Sequence, residues 1–460
     1  MVRKVVNNCI KYILRNAFRL RISWALVLFY SNIIKAVKPK NGSVPLDKPT
    51  ILALTPFRFR DDLNVLSDSR QFHVLQLPPE WQMRLLMLFW PSNIGEIFRS
   101  KQYYKPSGND EVIRFQNNLR AFLKLFLLSL YSNLKVDCVI GAGVHFQQDY
   151  DWGLVSEEIG VPYIVLHREA IFTPKSMKRM EHLCRGLGKF VGTHIVVHNE
   201  DMKAVFIKAA FAGPDEISVL GCLRMDNFIR RIQLSNIENC STVRSNNKKV
   251  VTLFSFSPGS VLAGPGINGK PTLRHFPKER NEGFIKLFEH VHTSIAQLAI
   301  QNKDVEFVIK PKWGGEWVEE IEYVLRKNSM DISKIKNLHI KIDIDVHDLI
   351  LSSDIICGFC STTLLESAIA GKAVIIPYFD EALKKEYTDL VLFKDFFYLF
   401  NVAYSVKEFD KLIVECLRNS IKISESQMNG RYAIFEKYVS SMSGNALDKY
   451  VETINNAIKT

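Results

Sequence analysis

The chain has 460 residues, 47% of them hydrophobic and 23% charged, so it is neither a disordered chain nor a protein with one hydrophobic core. We expect two domains of about 180 residues each, with additional segments. The formal net charge of +12 favours an anionic membrane surface or a phosphorylated substrate, and no repeated basic and aromatic pattern indicates a nucleic-acid partner.

The first 46 residues contain basic side chains and no acidic one. Their apolar part, residues 23–34 (SWALVLFYSNII), is shorter than the roughly 20 residues that cross a bilayer, and no signal-peptide cleavage site follows it. Two interpretations fit: a basic amphipathic helix on an anionic leaflet, or a helix packed on the protein's own core. We predict a membrane-associating segment over residues 1–45 and a cytoplasmic protein held at the inner face of the cell membrane.

From residue 49 onward, short apolar runs alternate with helical patterns, which predicts a doubly wound parallel sheet. The loop after the first run carries Arg58 and Arg60, which we assign to substrate binding. Gly141 and Gly143 resemble half of a dinucleotide-binding fingerprint, but the third glycine is missing. The predicted strands are residues 51–54, 136–140, 162–166, 194–198 and 216–220, and the longest predicted helix covers residues 109–134.

Three polar residues, His167, Arg168 and Glu169, directly follow the strand predicted over residues 162–166. Because side chains at the carboxyl end of a parallel strand lie at the ligand-binding edge, Glu169 is a candidate general base or nucleophile. His167 is assigned to catalysis with it, and Arg168 to substrate binding, where both would orient the carboxylate or bind an anionic sugar. The alternative is an ordinary helix start with Arg168 in solvent.

The polar, aperiodic residues 240–249 (CSTVRSNNKK) predict a linker between two domains. The domain before it, residues 46–239, is expected to bind an acceptor. The domain after it, residues 250–395, is expected to bind a nucleotide sugar. Residues 396–460 are predicted to be a C-terminal helical segment, of which the last fifty residues form surface helices.

The second domain is predicted to begin with a strand at residues 250–254. A glycine-rich stretch at residues 255–271 follows, which is either a functional flap or a disordered loop. Ser255 and Ser257 stand at its start, directly after the strand, and are assigned to nucleotide binding.

A phosphate half-site is predicted where two further strands end. Residues 305–312 (VEFVIKPK) end in Lys310 and Lys312, and residues 355–357 lead through a turn into a helix that begins with hydroxyl residues. Cations and a helix N-terminus at the carboxyl edge of a parallel sheet favour a phosphate. The alternatives are solvated lysines and an ordinary helix cap. The hydroxyl residues are Ser361, Thr362 and Thr363.

These motifs resemble those of the GT-B glycosyltransferases, which have two Rossmann-like domains and an interdomain cleft. The matching features are a strand ending in Lys310 and Pro311, and the run from Gly358 through the hydroxyl residues to Glu366. The nearest resemblance is to bacterial capsule and teichoic-acid transferases that use cytidine nucleotides, which have His-Pro at the position of Lys310. Their Gly-x-x-Arg-x-Asp motif is matched by Gly221, Arg224 and Asp226.

The resemblance implies a metal-independent glycosyltransferase with no cofactor, acting on a nucleotide-activated sugar and a glycan or glycolipid acceptor. Capsule transferases of 3-deoxy-manno-octulosonic acid (Kdo), which this chain resembles in layout, need an acidic residue in the first domain. Glu169 and Asp226 are therefore the two carboxylates assigned to catalysis, although Asp226 could instead stabilise a turn. The resemblance also assigns Arg224 to substrate binding and Glu366 to nucleotide binding.

Neither a metal nor a redox site is predicted. The eight cysteines are scattered, as buried thiols of cytoplasmic proteins are, and the pair Cys357 and Cys360 has no second pair at zinc-ribbon spacing. Asp149 and Asp151 resemble the DxD of metal-dependent transferases, but that motif belongs to a different fold, so we interpret them as a loop or acceptor contact.

The favoured function is the transfer of a sugar, such as Kdo or a related ulosonic acid from a cytidine monophosphate donor, onto a growing bacterial cell-surface polysaccharide or glycolipid. The alternatives are a sugar-nucleotide epimerase of the same fold, a CDP-polyol phosphotransferase, and an inactive scaffold in a glycan assembly complex.

Overall fold

The computed structural model describes residues 23–90, 101–106, 110–169, 171–237, 248–259, 283–419 and 423–459. The basic residues before Ser23, most of the predicted linker and the glycine-rich loop beyond residue 259 lie outside the described residues. The chain forms two compact units with one parallel sheet each, which confirms the predicted α/β class with two Rossmann-like domains. The first unit comprises Met1–Ala170, Glu181–Asn227 and Val439–Thr460, and the second comprises Ile171–Met180 and Phe228–Tyr438.

The sheet of the first unit contains β1 (Lys35–Ala36), β2 (Thr50–Ala53), β3 (His73–Gln76), β4 (Val136–Gly141), β5 (Tyr163–Leu166), β6 (His194–Val197) and β7 (Ile217–Val219). The strands lie in the order β1-β3-β2-β4-β5-β6-β7, and β1 is the antiparallel one. Without β1, the spatial order by position in the chain is 2-1-3-4-5-6, so the direction of winding reverses between β2 and β4. Ligands of doubly wound sheets bind beyond the carboxyl ends of the strands at such a reversal.

Alternating residues of β2 separate two hydrophobic cores. Ile51 and Ala53 pack in one core, and Leu52 and Leu54 pack in the other, as the two-residue period of a strand requires. Helices and the other strands supply the rest of both cores. Those that precede the second sheet in the chain are α1 (Ser23–Ile33), α2 (Arg60–Asp68), α3 (Pro79–Phe89), α4 (Lys101–Tyr104), α5 (Asp110–Leu134), α6 (Gln147–Glu158), α7 (Pro174–Leu187), α8 (Glu200–Lys208) and α9 (Met225–Ile237).

The helix α1 packs on the core of the first unit with one face. Leu26 and Tyr30 are each 1% exposed, and the Tyr30 hydroxyl donates a hydrogen bond to the Trp81 carbonyl oxygen at 2.9 Å. Trp24 and Leu28 on the other face are 69% and 60% exposed. Residues 23–33 are therefore a helix packed on the protein's own core, the second of the two interpretations of this segment. No helix in the described part of the chain is long and apolar enough to cross a bilayer.

The sheet of the second unit is parallel throughout. Its strands are β8 (Val250–Phe254), β9 (Glu306–Lys310), β10 (Leu338–Ile340), β11 (Ile355–Gly358), β12 (Ala373–Pro377) and β13 (Asn401–Ala403), in the spatial order β10-β9-β8-β11-β12-β13. Numbered within this sheet, that order is 3-2-1-4-5-6, the arrangement of dinucleotide-binding sheets, and the winding reverses between β8 and β11.

The remaining helices complete both units. In the second unit α10 (Ile285–Gln301) begins beneath a carboxylate cap, because Glu381 accepts hydrogen bonds from the backbone N–H groups of Lys286 and Leu287, both at 2.9 Å. The C-terminal helix lies in the first unit. The others are α11 (Glu316–Lys327), α12 (Val346–Ser352), α13 (Thr363–Ile369), α14 (Val406–Arg418), α15 (Glu425–Tyr438) and α16 (Ala446–Lys459).

Leu26 and Leu28 of α1 provide a matched pair for testing the packing of this helix. Leu26→Ala should lower the free energy of unfolding by about 2 to 5 kcal/mol, because it removes a buried side chain and leaves a cavity. Leu28→Ala should change it by less than about 0.5 kcal/mol, because that side chain lies in solvent. Denaturant unfolding measures both. Equally small effects would show that α1 is not part of the core.

Candidate functional site

Three neighbouring strands of the second unit end at the same level. Phe254, the last residue of β8, is paired with Lys310 at the end of β9 and with Gly358 at the end of β11. The backbone N–H of Ser255 donates to the Lys310 carbonyl oxygen at 3.0 Å, which continues the pairing by one residue. The predicted half-site residues thus lie at one edge, at the reversal of winding between β8 and β11.

Lys310 contributes a largely buried cation to this edge. It is 9% exposed, and its ammonium group donates a hydrogen bond to the Pro311 carbonyl oxygen at 3.0 Å. Burial lowers the pKa of Lys310, and the nearby carboxylate of Asp343 opposes this shift. Lys312, in contrast, is exposed, with its ammonium group 5.5 Å from the centre of the Trp313 ring.

The turn after β11 presents the predicted hydroxyl groups. Cys360 has a left-handed backbone (φ 50°), and its thiol lies 3.7 Å from the Leu390 carbonyl oxygen. The hydroxyl oxygens of Ser361 and Thr363 lie 2.7 Å apart, and Thr362 caps α13 without a side-chain hydrogen bond to its backbone. Because α13 has seven residues, hydroxyl groups rather than the helix dipole are the main contribution of this turn.

Ser255, Ser257 and Glu366 are all placed within the second unit. The Ser255 hydroxyl donates to His292 Nε2 at 2.8 Å, since Nδ1 of that ring donates to the Phe288 carbonyl oxygen, and burial lowers the pKa of His292 to about 4. Ser257 is fully buried. Glu366 is also buried, and its Oε2 lies 3.5 Å from Nε2 of His347. This residue, which was predicted to bind nucleotide, therefore lies beside a histidine.

A cavity of about 430 Å³ lies between β8, β9, β10 and α12. Its lining runs from Val250 and Glu306, the first residues of β8 and β9, to Lys341, just beyond β10. None of the residues assigned to nucleotide binding lines this cavity, so it is not part of the candidate site.

The carboxyl edge of the first sheet gathers charged groups after β2 and β5. His167 is buried, Arg168 is half-buried and Glu169 is exposed. Burial lowers the pKa values of Arg58 and His145, while the charge of Glu169 raises both, so these side chains lie within electrostatic range of Glu169. Arg58 ends a short turn that starts from Thr55, and its guanidinium carbon lies 5.4 Å from the centre of the Phe146 ring.

Two other predicted arginines differ in their surroundings. Arg60 was expected in a loop, but it is the first residue of α2, and its side chain is exposed, 3.9 Å from Asp61. The backbone N–H of Arg224 donates to Asp62 at 3.1 Å, and the charge of Arg224 acts on the buried His198. His145 and His198 were missed by the sequence analysis, although His145 follows the strand predicted over residues 136–140 and His198 ends the one predicted over residues 194–198, which was the available signal.

Asp226 is a structural residue in this geometry. It is fully buried, and its two carboxylate oxygens accept hydrogen bonds from the backbone N–H groups of Ala446 at 3.2 Å and Leu447 at 2.7 Å, where α16 begins. The hydroxyl group of Tyr450 in the same helix donates to the Gly221 carbonyl oxygen at 2.9 Å. The motif that includes Gly221 and Asp226 thus holds the start of the C-terminal helix. Of the two carboxylates assigned to catalysis, this leaves Glu169 as the candidate.

Asp149 and Asp151 accept hydrogen bonds from other side chains of the first unit. Asp149 Oδ1 accepts from the Thr55 hydroxyl and from the Gln82 amide, both at 2.7 Å, and burial raises the pKa of Asp149 to about 7. Asp151 accepts from Arg120 at 2.7 Å and from the Tyr103 hydroxyl. The interpretation of this pair as part of a loop is wrong, because both residues lie in α6. Both are buried, and an acceptor contact stays a prediction.

The raised pKa of Asp149 predicts a pH dependence of stability. Between the ordinary value of 3.8 and the folded value of about 7, the folded state binds the proton more tightly, so the free energy of unfolding falls as pH rises through this window. Asp149→Asn should remove a decline on the order of 2 to 3 kcal/mol between pH 5 and pH 7.5. Denaturant unfolding at both pH values is the measurement. Asp61→Asn, at an exposed carboxylate, is the control, and parallel wild-type and Asp149→Asn profiles would contradict the prediction.

Comparison with known proteins gave structural matches alone. No family model matches the chain, and no curated protein matches it. The UDP-GlcNAc 2-epimerase of Neisseria meningitidis bound to UDP-GlcNAc is 14% identical, with a TM-score of 0.47 over 89% of this chain and 99% of that chain. A glycosyltransferase of Rickettsia africae is 11% identical (TM-score 0.45, 90% and 100% covered). The α,α-trehalose-phosphate synthase (UDP-forming) of Burkholderia vietnamiensis is 8% identical (TM-score 0.46, 89% and 99% covered).

Proposed function

We propose that the protein is a glycosyltransferase that takes its sugar from a nucleotide donor. The carboxyl edge of the second sheet holds the nucleotide, and the carboxyl edge of the first sheet holds the acceptor. The proposal rests on one observation: Lys310, Ser255 and the hydroxyl turn after Gly358 lie side by side at the carboxyl ends of three adjacent strands. The winding of the sheet reverses at these strands.

The chemistry of these groups suits the phosphate of a nucleotide. The ammonium group of Lys310 is a point charge with three donors, of which one is used by the Pro311 carbonyl oxygen. The hydroxyl of Thr362 makes no side-chain cap bond, and Ser361 lies next to it in the same turn. A cation with hydroxyl donors at a strand edge binds phosphate oxygens through charge-assisted hydrogen bonds.

In the proposed reaction an acceptor hydroxyl oxygen attacks the anomeric carbon of the donor sugar. A new carbon–oxygen bond forms, the bond from that carbon to the phosphate oxygen breaks, and the nucleotide leaves with the electron pair. Glu169 takes the hydroxyl proton as general base. Its exposed carboxylate at the end of β5, with Arg58 in electrostatic range, supports this role.

The finer parts of the proposal concern donor, acceptor and location. The resemblance to capsule transferases supports a cytidine nucleotide carrying Kdo or a related sugar, and a bacterial surface glycan or glycolipid as acceptor. A position at the inner face of the cell membrane is supported by the basic residues before Ser23, which number six, and by the exposed Trp24 and Leu28 on α1.

The nucleotide half-site predicts a difference between two lysines at opposite ends of β9. Lys310→Met should weaken the binding of a nucleoside diphosphate roughly 10- to 100-fold, because a charge-assisted hydrogen bond is lost. Lys303→Met, at an exposed lysine before the same strand, should leave affinity within about threefold. Isothermal titration with CMP, CDP and UDP measures both, and equal affinities of the two variants for every nucleotide would refute the half-site.

The general-base role predicts that Glu169 matters for turnover more than for binding. Glu169→Gln should lower kcat at least about 100-fold with near-normal nucleotide affinity, since proton transfer develops only toward the transition state. Glu158→Gln, at an exposed residue of α6, is the control.

The assay follows nucleotide release in the presence of a glycolipid acceptor. Full activity of Glu169→Gln would exclude it as the base. Conversion of the nucleotide sugar to an epimer without acceptor and without nucleotide release would replace the transferase proposal by an epimerase.

A further inference from the structure

Three histidines follow three adjacent strands at the carboxyl edge of the first sheet. His145 lies in the loop after β4, His167 directly after β5, and His198 directly after β6. Nδ1 of His145, Nδ1 of His198 and both ring nitrogens of His167 are buried without a hydrogen-bond partner in the described part of the chain. His167 is 1% exposed and His198 is 5% exposed. Unpaired buried polar atoms are rare in folded proteins, so this row calls for a partner.

The three rings form one continuous row. The charged form of His145 disfavours that of His167, and His167 in turn disfavours that of His198, which places each ring in range of the next. Burial is the main cause of the lowered pKa in all three, and it lowers the pKa of His167 to about 3. The rings are neutral at pH 7, and each neutral ring offers one donor and one acceptor.

Cations flank both ends of the row. The charge of Arg58 acts on His145, and the charges of Arg224 and Arg168 act on His198. Arg58 is half-buried, and its Nε is buried without a partner in the described residues. The acidic groups in the same neighbourhood are Glu169 and Asp62, and burial raises the pKa of Asp62 toward the neutral form. Positive charge is therefore in excess at this edge.

We propose that this edge is a binding site for a sugar that carries an anionic group, a carboxylate or a phosphate. Arg58 and Arg168 bind the anion, and the neutral rings of His145, His167 and His198 donate to and accept from the sugar hydroxyls. The inference rests on the proposed function insofar as this sugar is the end of the acceptor. The pairing of neutral imidazoles with guanidinium groups distinguishes it from a site for an uncharged glycan.

The test uses the full chain without nucleotide and measures binding by isothermal titration. Two matched pairs of probes separate the sources of the anion: galacturonate against galactose, and glucose 6-phosphate against glucose. In at least one pair the anionic member should bind ten times more tightly or better than its uncharged partner. Equal binding within both pairs, or no binding of any probe, overturns the proposal.

Variants then test the residues. Arg58→Gln should weaken the anionic member roughly 10- to 100-fold and leave the uncharged member unchanged, whereas Arg58→Lys should restore part of the loss. His198→Asn should weaken both members. Arg114→Gln, at an exposed arginine of α5, is the control and should match the wild type. An Arg58→Gln variant that binds the anion normally overturns the assignment.

The result is separable from the nucleotide proposal. Lys310 lies in the second unit, so Lys310→Met should leave the sugar titrations unchanged. If the wild type binds nucleotide but shows no preference for the anionic probes, this inference alone is overturned. Absence of nucleotide binding with intact sugar binding overturns the donor half of the proposed function and leaves this site standing.

Discussion

The pairing of Phe254 with both Lys310 and Gly358 is the constraint on which the candidate nucleotide site depends. Parallel strands in this register end together, so Ser255, Lys310 and Ser361 are brought to one edge although they lie 51 to 106 positions apart in the chain. The winding order 3-2-1-4-5-6 then opens the crevice at this edge, because the helices on the two sides of β8 and β11 lie on opposite faces of the sheet. A shift of register by one residue would turn each side chain to the other face.

The buried polar groups at the two sheet edges differ in whether they have hydrogen-bond partners. In the second unit, Lys310 and Ser255 each have a protein partner, the Pro311 carbonyl oxygen and His292, so this edge is satisfied by the protein itself. In the first unit, His167 has no partner for either ring nitrogen within the described residues. Burying a polar group without a hydrogen bond is unfavourable, so such a group is retained where it has a use. The first edge therefore retains buried nitrogen atoms that the described protein groups leave without a hydrogen bond.

Much of the fold could be predicted because strand residues such as 250–254 and 355–357 form apolar runs with sharp ends, and observed strands cover both. The strands β1, β3, β10 and β13 were not predicted, because these short segments include polar residues that interrupt the apolar run. Lys310 and the hydroxyl turn were found because they follow strong strands. The hydrogen-bond partners of Asp226 and Asp149 could not be predicted, since Leu447 and Thr55 are distant from them in sequence. His145 and His198 were overlooked because a histidine after a strand is not distinctive without its burial.

Hydrogen exchange measured by mass spectrometry, with and without a nucleoside diphosphate, tests the nucleotide edge most directly. Binding at the ends of β9 and β11 predicts slower exchange in peptides covering residues 306–312 and 355–369, because bound phosphate orders the turns after both strands. Slower exchange confined to residues 338–352, which contribute to the cavity between β10 and α12, would contradict the assignment, as would unchanged exchange throughout the second unit at saturating nucleotide.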